Sequence, residues 1–133
     1  MHENIIAYNQ RLIKTGSEYT GRLENPSIFL RTLGDVSAAC GASTDDFMDL
    51  YIQVVNNLIS DIKYQCIGDP TTNVAIEILC TLLKGKTLDE AALIKEDAFS
   101  RILGCEDEGM QEKAKFLLEL LNEEILRYKT QAE

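Results

Sequence analysis

The sequence predicts an α+β fold: a small three-stranded antiparallel sheet with helices packed on one face, and a helical C-terminal half. Three observations carry the prediction. Between Phe47 and Val55, Met48, Leu50, Ile52 and Val54 alternate with Asp49, Tyr51 and Gln53, the period-two pattern of a strand with one buried face. Asn56-Asn57 separates that run from a second one over 58–67, and a two-residue loop of residues that tolerate positive φ suits a tight antiparallel hairpin. Beyond Asp69-Pro70 the apolar spacing turns helical and stays so to the end, and strands followed by a run of helices indicate α+β.

In chain order, Ile5, Ile6, Tyr8, Leu12 and Ile13 recur at partly helical spacing, so a short helix spans Asn4 to Lys14 and stops at Gly16. A first strand falls somewhere in Ile28 to Val36, on Ile28, Leu30 and Leu33. The hairpin follows. Asp69 is placed to cap the next helix and Pro70 occupies its first turn, where a missing N–H costs nothing. Val74, Ile76, Ile78, Leu79, Leu82 and Leu83 cover most of that helix, so it is expected to be buried until Gly85 ends it. Thr87-Leu88-Asp89-Glu90 is a capping box for a short helix reaching about Ile94. Another short helix is expected over Asp97 to Leu103. A long amphipathic one follows over Glu112 to Lys129, with Phe116, Leu117, Leu120, Leu121 and Ile125 inward.

Bulk properties narrow the function. At 133 residues and 45% hydrophobic content, residues 1–133 read as one domain with one core. The formal charge of −9 argues against nucleic acid, whose binding needs clustered Lys and Arg, and favours basic partners. There is no apolar run long enough to span a membrane, and Met1-His2-Glu3-Asn4 does not begin a signal peptide, so a cytoplasmic location is expected. Cys40, Cys66, Cys80 and Cys105 lack the close pairing of a disulfide scaffold or zinc knuckle, and reduced thiols are the default. His2 is the single histidine, so classical hydrolase catalysis lacks its base and no enzyme activity is expected. Gly85-Lys86-Thr87 mimics the end of a P-loop, but the first glycine is missing and a helix precedes it. The acidic run 106–108 lacks EF-hand spacing and reads as a solvated loop.

The stretch 64–87, YQCIGDPTTNVAIEILCTLLKGKT, resembles the central segment of the NifU/IscU family of iron-sulfur cluster assembly scaffolds, where a strand ends in Gly-Cys and a helix closes on Lys-Gly-Lys-Thr. Here Gly68 and Lys84-Gly85-Lys86-Thr87 fit, while Asp69 stands where the family has its second cysteine. Leu23-Glu24-Asn25-Pro26 is similar to the early Asn-Pro element, and Ala39-Cys40-Gly41 to the tail of the first cysteine motif. The resemblance runs from about residue 19 to 103. It implies the same α+β fold and a non-catalytic scaffold that holds an iron-sulfur cluster on three thiolates, with cysteine desulfurase and other iron-sulfur assembly proteins as partners.

Carried onto this chain, the resemblance implies Cys40 as first ligand and Asp69 in the second position. Ala42 replaces the family's aspartate, and Asp45 and Asp46 lie too far along the chain to substitute for it. The third position falls on Cys105 or near Glu108 and Gly109. A site of Cys40, Asp69 and Cys105 or Glu108 mixes thiolate with carboxylate, and oxygen donors weaken iron-sulfide binding in favour of a single zinc or iron ion. Asp69 is equally a helix cap, and Cys105 equally a surface thiol. Cys66, sharing a strand face with Leu58, Ile62 and Tyr64, reads as core, as does Cys80 between Leu79 and Leu82. Two functions are expected from this: a scaffold-like metal, cluster or sulfur acceptor with an altered ligand set, or a relative without a cluster that binds or regulates a cysteine desulfurase. Oligomeric state is not encoded in any of these features.

Overall fold

A computed structural model describes residues 2–33 and 47–131. The elements run α1 (Glu3–Thr15), β1 (Ile28–Leu33), β2 (Phe47–Val55), β3 (Leu58–Ile67), α2 (Pro70–Leu83), α3 (Leu88–Ala92), α4 (Glu96–Leu103) and α5 (Glu108–Gln131). The strands form one antiparallel sheet in the order β1-β2-β3. Asn56 and Asn57 both take positive φ, 52° and 65°, the backbone a two-residue hairpin turn requires. The α+β expectation is met.

Ile28, Ile52 and Ile62 form one row of paired residues across the sheet, and Leu30, Leu50 and Tyr64 the next. All six are buried. The alternation does not carry through to exposure on the other face, because Asp49 and Tyr51 are buried too, at 3% and 6% accessible. Arg31 clamps Asp49 through two 2.8 Å hydrogen bonds, and Phe29 lies 5.1 Å from the Tyr51 ring, so edge-strand side chains fold over the central strand. Leu58 is also a departure, since it is exposed and Ile59 takes the core position. Pairing shifts between Gln53 and Val54, with Gln53 opposite Asp61 and Val54 opposite Ile59, so the bulge at Ser60 turns the start of β3 over.

α2 lies on β3, with α1 and α5 against it, and α5 also packs on β1 and α4. Val74, Ile76, Ile78, Leu79, Cys80 and Leu83 are fully buried, which makes α2 the central helix. Its buried charge, Glu77, accepts hydrogen bonds from Ser17 Oγ at 2.5 Å and Tyr64 Oη at 3.0 Å, tying the residues after α1 and strand β3 to one carboxylate. Burial first, and then Glu77, push the Tyr64 phenol upward. The residues after α1 also extend the sheet edge, through Tyr64 N–H to Tyr19 O at 2.7 Å and Gly21 N–H to Tyr64 O at 2.9 Å.

Among the helix boundaries that move from their predicted places are the end of α3 and the start of α5. α3 ends at Ala92, since the N–H groups of Leu93 and Ile94 bond three residues back in a tighter turn. α5 begins at Glu108, four residues early, because Asp107 Oδ2 accepts from Met110 N at 2.9 Å and caps it. The longer helix recentres its inward stripe on Met110, Ala114, Leu117, Leu118, Leu121 and Ile125, leaving Phe116 and Leu120 half-buried.

The predicted capping box forms with both bonds at 3.0 Å, from Thr87 N to Glu90 Oε1 and from Glu90 N to Thr87 Oγ1. The Thr87 backbone bond and then its hydroxyl hold the Glu90 carboxyl below its ordinary value of 4.5. A depressed carboxyl stabilises the fold above its unfolded value and loses that contribution as pH falls through the folded one. Glu90→Gln is therefore expected to be less stable than wild type at neutral pH, with the gap closing on acidification. Urea midpoints of the two proteins at neutral and acidic pH check this.

Candidate functional site

The register fixes one end of the sheet as the place to look. Leu33 pairs with Phe47 and Phe47 with Ile67, so the last residue of β1, the first of β2 and the last of β3 lie side by side. There β3 runs through Gly68 into Asp69 and α2. Gly68 sits close against α2: a Cβ there would meet the Thr72 Cβ and Cγ2 at 3.3 Å, a tight contact that asks the Thr72 side chain to give by a few tenths of an ångström. Cys40, Ala42, Asp45 and Asp46 lie outside the described residues, between the paired Leu33 and Phe47.

Asp69 takes the cap role. Its backbone is extended (φ −72°, ψ 167°), and Oδ1 accepts from the Thr72 amide at 2.7 Å. Its other oxygen faces a residue that sequence reasoning passed over. Lys113 Nζ stands 3.9 Å from Asp69 Oδ2, and the Lys113 side chain is 7% accessible against 40% for Asp69. Lysine is almost never buried to that degree without an anionic partner. The signal was present in the sequence: Lys113 falls three residues after Met110 and four before Leu117, a cation on the apolar stripe of α5. Starting the helix at Glu112 had put it in a first turn, where a charge attracts no notice.

The other named residues lie between the end of α4 and the first turn of α5. Glu108 is exposed at the start of α5, bordering an open hollow with Glu96, Gln111, Glu112 and Lys115. Cys105 follows Gly104, whose left-handed backbone (φ 86°) ends α4, and its half-buried side chain packs against the core. Burial, then Asp107 and Glu3, raise its thiol above the ordinary value, so the thiolate is disfavoured. Among the described residues there is no group of three His, Cys, Asp or Glu placed to hold a metal ion. The described donors therefore do not fit a complete cluster centre without further ligands.

Cys80 is fully buried, as expected, and burial followed by Glu77 pushes its thiol well up. Cys66 is less enclosed than a core residue. It packs on the core, but its Sγ lies 3.3 Å from Asn73 Oδ1, and Asn73 Nδ2 donates to Gly68 O at 3.4 Å. The thiol thus borders the first turn of α2 and a shallow hollow shared with Asn9, Ser17, Thr20 and Tyr64. The shared apolar face pointed to the core side, but it did not show that α2 starts beside this residue.

Residues 18–133 match the family model for the NifU-like N terminal domain. Two relatives from Archaeoglobus fulgidus, iron-sulfur cluster assembly scaffold proteins IscU 1 and IscU 2, are each 35% identical over 80 residues, 56% of this chain and 52% of the relative. The match thus spans about half the length of those relatives. A crystal structure of a nitrogen-fixing NifU-like protein (N-terminal) from Brucella abortus superposes with a TM-score of 0.62 at 11% identity, covering 97% of this chain and 94% of that one. A Fervidobacterium islandicum AW-1 protein described as a candidate iron-sulfur cluster assembly scaffold for the SUF system gives 0.55 at 21%, covering 97% and 86%. At these identities the structural likeness is one of fold.

Proposed function

Because the chain belongs to the NifU-like N-terminal domain family, we propose that it serves iron-sulfur cluster assembly as a non-catalytic scaffold whose cargo meets the protein where β3 enters α2. The observation that carries this reading is the junction itself: Gly68 and Asp69 hold the strand-to-helix geometry, and a buried lysine marks the spot with charge. Cys40 is the thiolate ligand or sulfur acceptor, on a segment whose flanking residues Leu33 and Phe47 pair at this end of the sheet. Asp69 contributes from the second position. The third donor is Cys105 or Glu108: the first is the softer ligand for iron and sulfide, the second an exposed carboxylate bordering an open hollow. Cargo is an iron-sulfur cluster or its iron and sulfur components, and a cysteine desulfurase is the partner that supplies sulfur. No helix among the described residues is long and apolar enough to cross a membrane, and the site we propose works in the cytoplasm.

Anaerobic incubation with iron and sulfide tests the reading. Wild type is expected to develop a visible chromophore that Cys40→Ser abolishes. If wild type shows none, the scaffold reading falls. Comigration with a desulfurase in that event would leave the chain as a partner without a cluster.

A further inference from the structure

The two edges of the sheet are finished differently. In an antiparallel ladder the N–H and C=O of one residue point to the same side, and that side alternates along the strand. Tyr64 gives both groups to the residues after α1, at 2.7 Å and 2.9 Å, so Leu50, its partner on β2, turns its own to Leu30. The same alternation sends the backbone groups of Ile62 on β3, and of Phe29 and Arg31 on β1, away from the sheet. On β3 the edge is occupied: besides Tyr64, Ile62 N donates to Asp61 Oδ1 at 2.9 Å, Ile59 N to Lys86 O at 2.8 Å, and Gly85 N to Ile59 O at 3.1 Å. On β1 it is open. Among the described residues no hydrogen bond reaches the backbone of Phe29 or Arg31 from outside the sheet. An edge in that state is a template for another strand.

We propose that β1 is the seam of a homodimer, in which β1 of a second copy lies antiparallel on it about a two-fold axis through Leu30 and joins two three-stranded sheets into one. The occupant is a second copy because the outer face of this strand is complementary to itself. Within one chain Arg31 is paired to Asp49 by two 2.8 Å hydrogen bonds, and Phe29 to Tyr51 with ring centroids 5.1 Å apart. The axis sets Arg31 opposite Phe29 of the second copy, each such pair exchanging two backbone hydrogen bonds. A row of Asp49, Arg31, Phe29 and Tyr51 then crosses from one copy to the other, with its two-fold mate beside it. Its central contact is guanidinium on ring, which Arg31 already makes with its own Phe29 at 5.5 Å. Asp49 neutralises each Arg31, so these facing rows carry no net charge on a chain of −9. The seam lies on the opposite edge of the sheet from β3, so the junction of β3 with α2 takes no part in it and the dimer does not depend on the cargo.

Analytical ultracentrifugation of the full reduced chain tests this. Wild type is expected at twice the chain mass at high micromolar concentration, dissociating on dilution. Phe29→Lys sets like charges opposite each other and should raise the dissociation constant at least about tenfold. Phe29→Glu should keep the dimer, because its carboxylate meets Arg31 of the second copy. Phe29 is 40% exposed, so both changes suit the folded chain, and circular dichroism confirms it. Amide exchange at Phe29 and Arg31 should slow as the dimer forms. The inference is overturned if Phe29→Lys leaves the constant unchanged, if Phe29→Glu weakens the dimer as much as Phe29→Lys, or if those two amides exchange equally fast in monomer and dimer. A chain that stays monomeric overturns it too, and protected Phe29 and Arg31 amides in that monomer would assign the edge to a cover within the chain.

Discussion

Asp69→Cys is expected to convert the start of α2 into a thiolate site, with zinc affinity rising at least about tenfold over wild type. The new thiol sits at a helix N-terminus within reach of the buried Lys113 ammonium, the two influences that lower a cysteine pKa. It is therefore thiolate near neutral pH, and thiolate is a softer, stronger ligand for zinc and for iron than the carboxylate it replaces. The same substitution removes the side-chain bond to the Thr72 amide, so stability should drop by about 1 kcal/mol. Ultraviolet thiolate absorbance against pH, zinc titration and urea unfolding read the three effects separately. An introduced thiol that titrates like free cysteine and binds no additional zinc would show that the field at the α2 start is too weak to act on cargo.

Phe99→Ala should cost about 3–5 kcal/mol, a large part of the ~5–15 kcal/mol that holds a domain together. Phe99 is fully buried and is the largest such side chain on α4, the helix that packs against α2 and α5. Removing the ring leaves a void that three helices must share. The Gly104-Cys105 corner hangs from the end of the same helix, so its order should suffer with the core. Chemical denaturation measures the loss. Faster amide exchange across 104–107 in the variant checks the second consequence, and unchanged exchange there would show that the corner is held from α1, where Asn4 Nδ2 donates to Leu103 O at 3.1 Å.

The sheet pattern could be read because its cause is local. The β2 strand itself, the Asn-Asn turn, the Asp69-Pro70 start and the Thr87 capping box each depend on a few adjacent residues, and the structure keeps all four. The errors fall where a distant element intervened. Leu58 lost its core place to a bulge opposite Gln53, and Asp49 and Tyr51 were covered by side chains of β1. α5 gained a turn because Asp107 serves it as cap, and the inward stripe rotated with it.

The candidate site divides along the same line. Residue order alone located the strand-helix junction, offered Asp69 as a cap beside its reading as a ligand, and pointed to the family, since these rest on side-chain chemistry within a few residues of one another. It could not show that Lys113, forty-four residues further along, returns to Asp69 (113 − 69 = 44), because no local pattern encodes which turn of α5 meets the start of α2. Packing decided that. Helix α5 buries its apolar stripe against α2 and β1, and the lysine within that stripe is carried to the Asp69 carboxylate, which meets its charge.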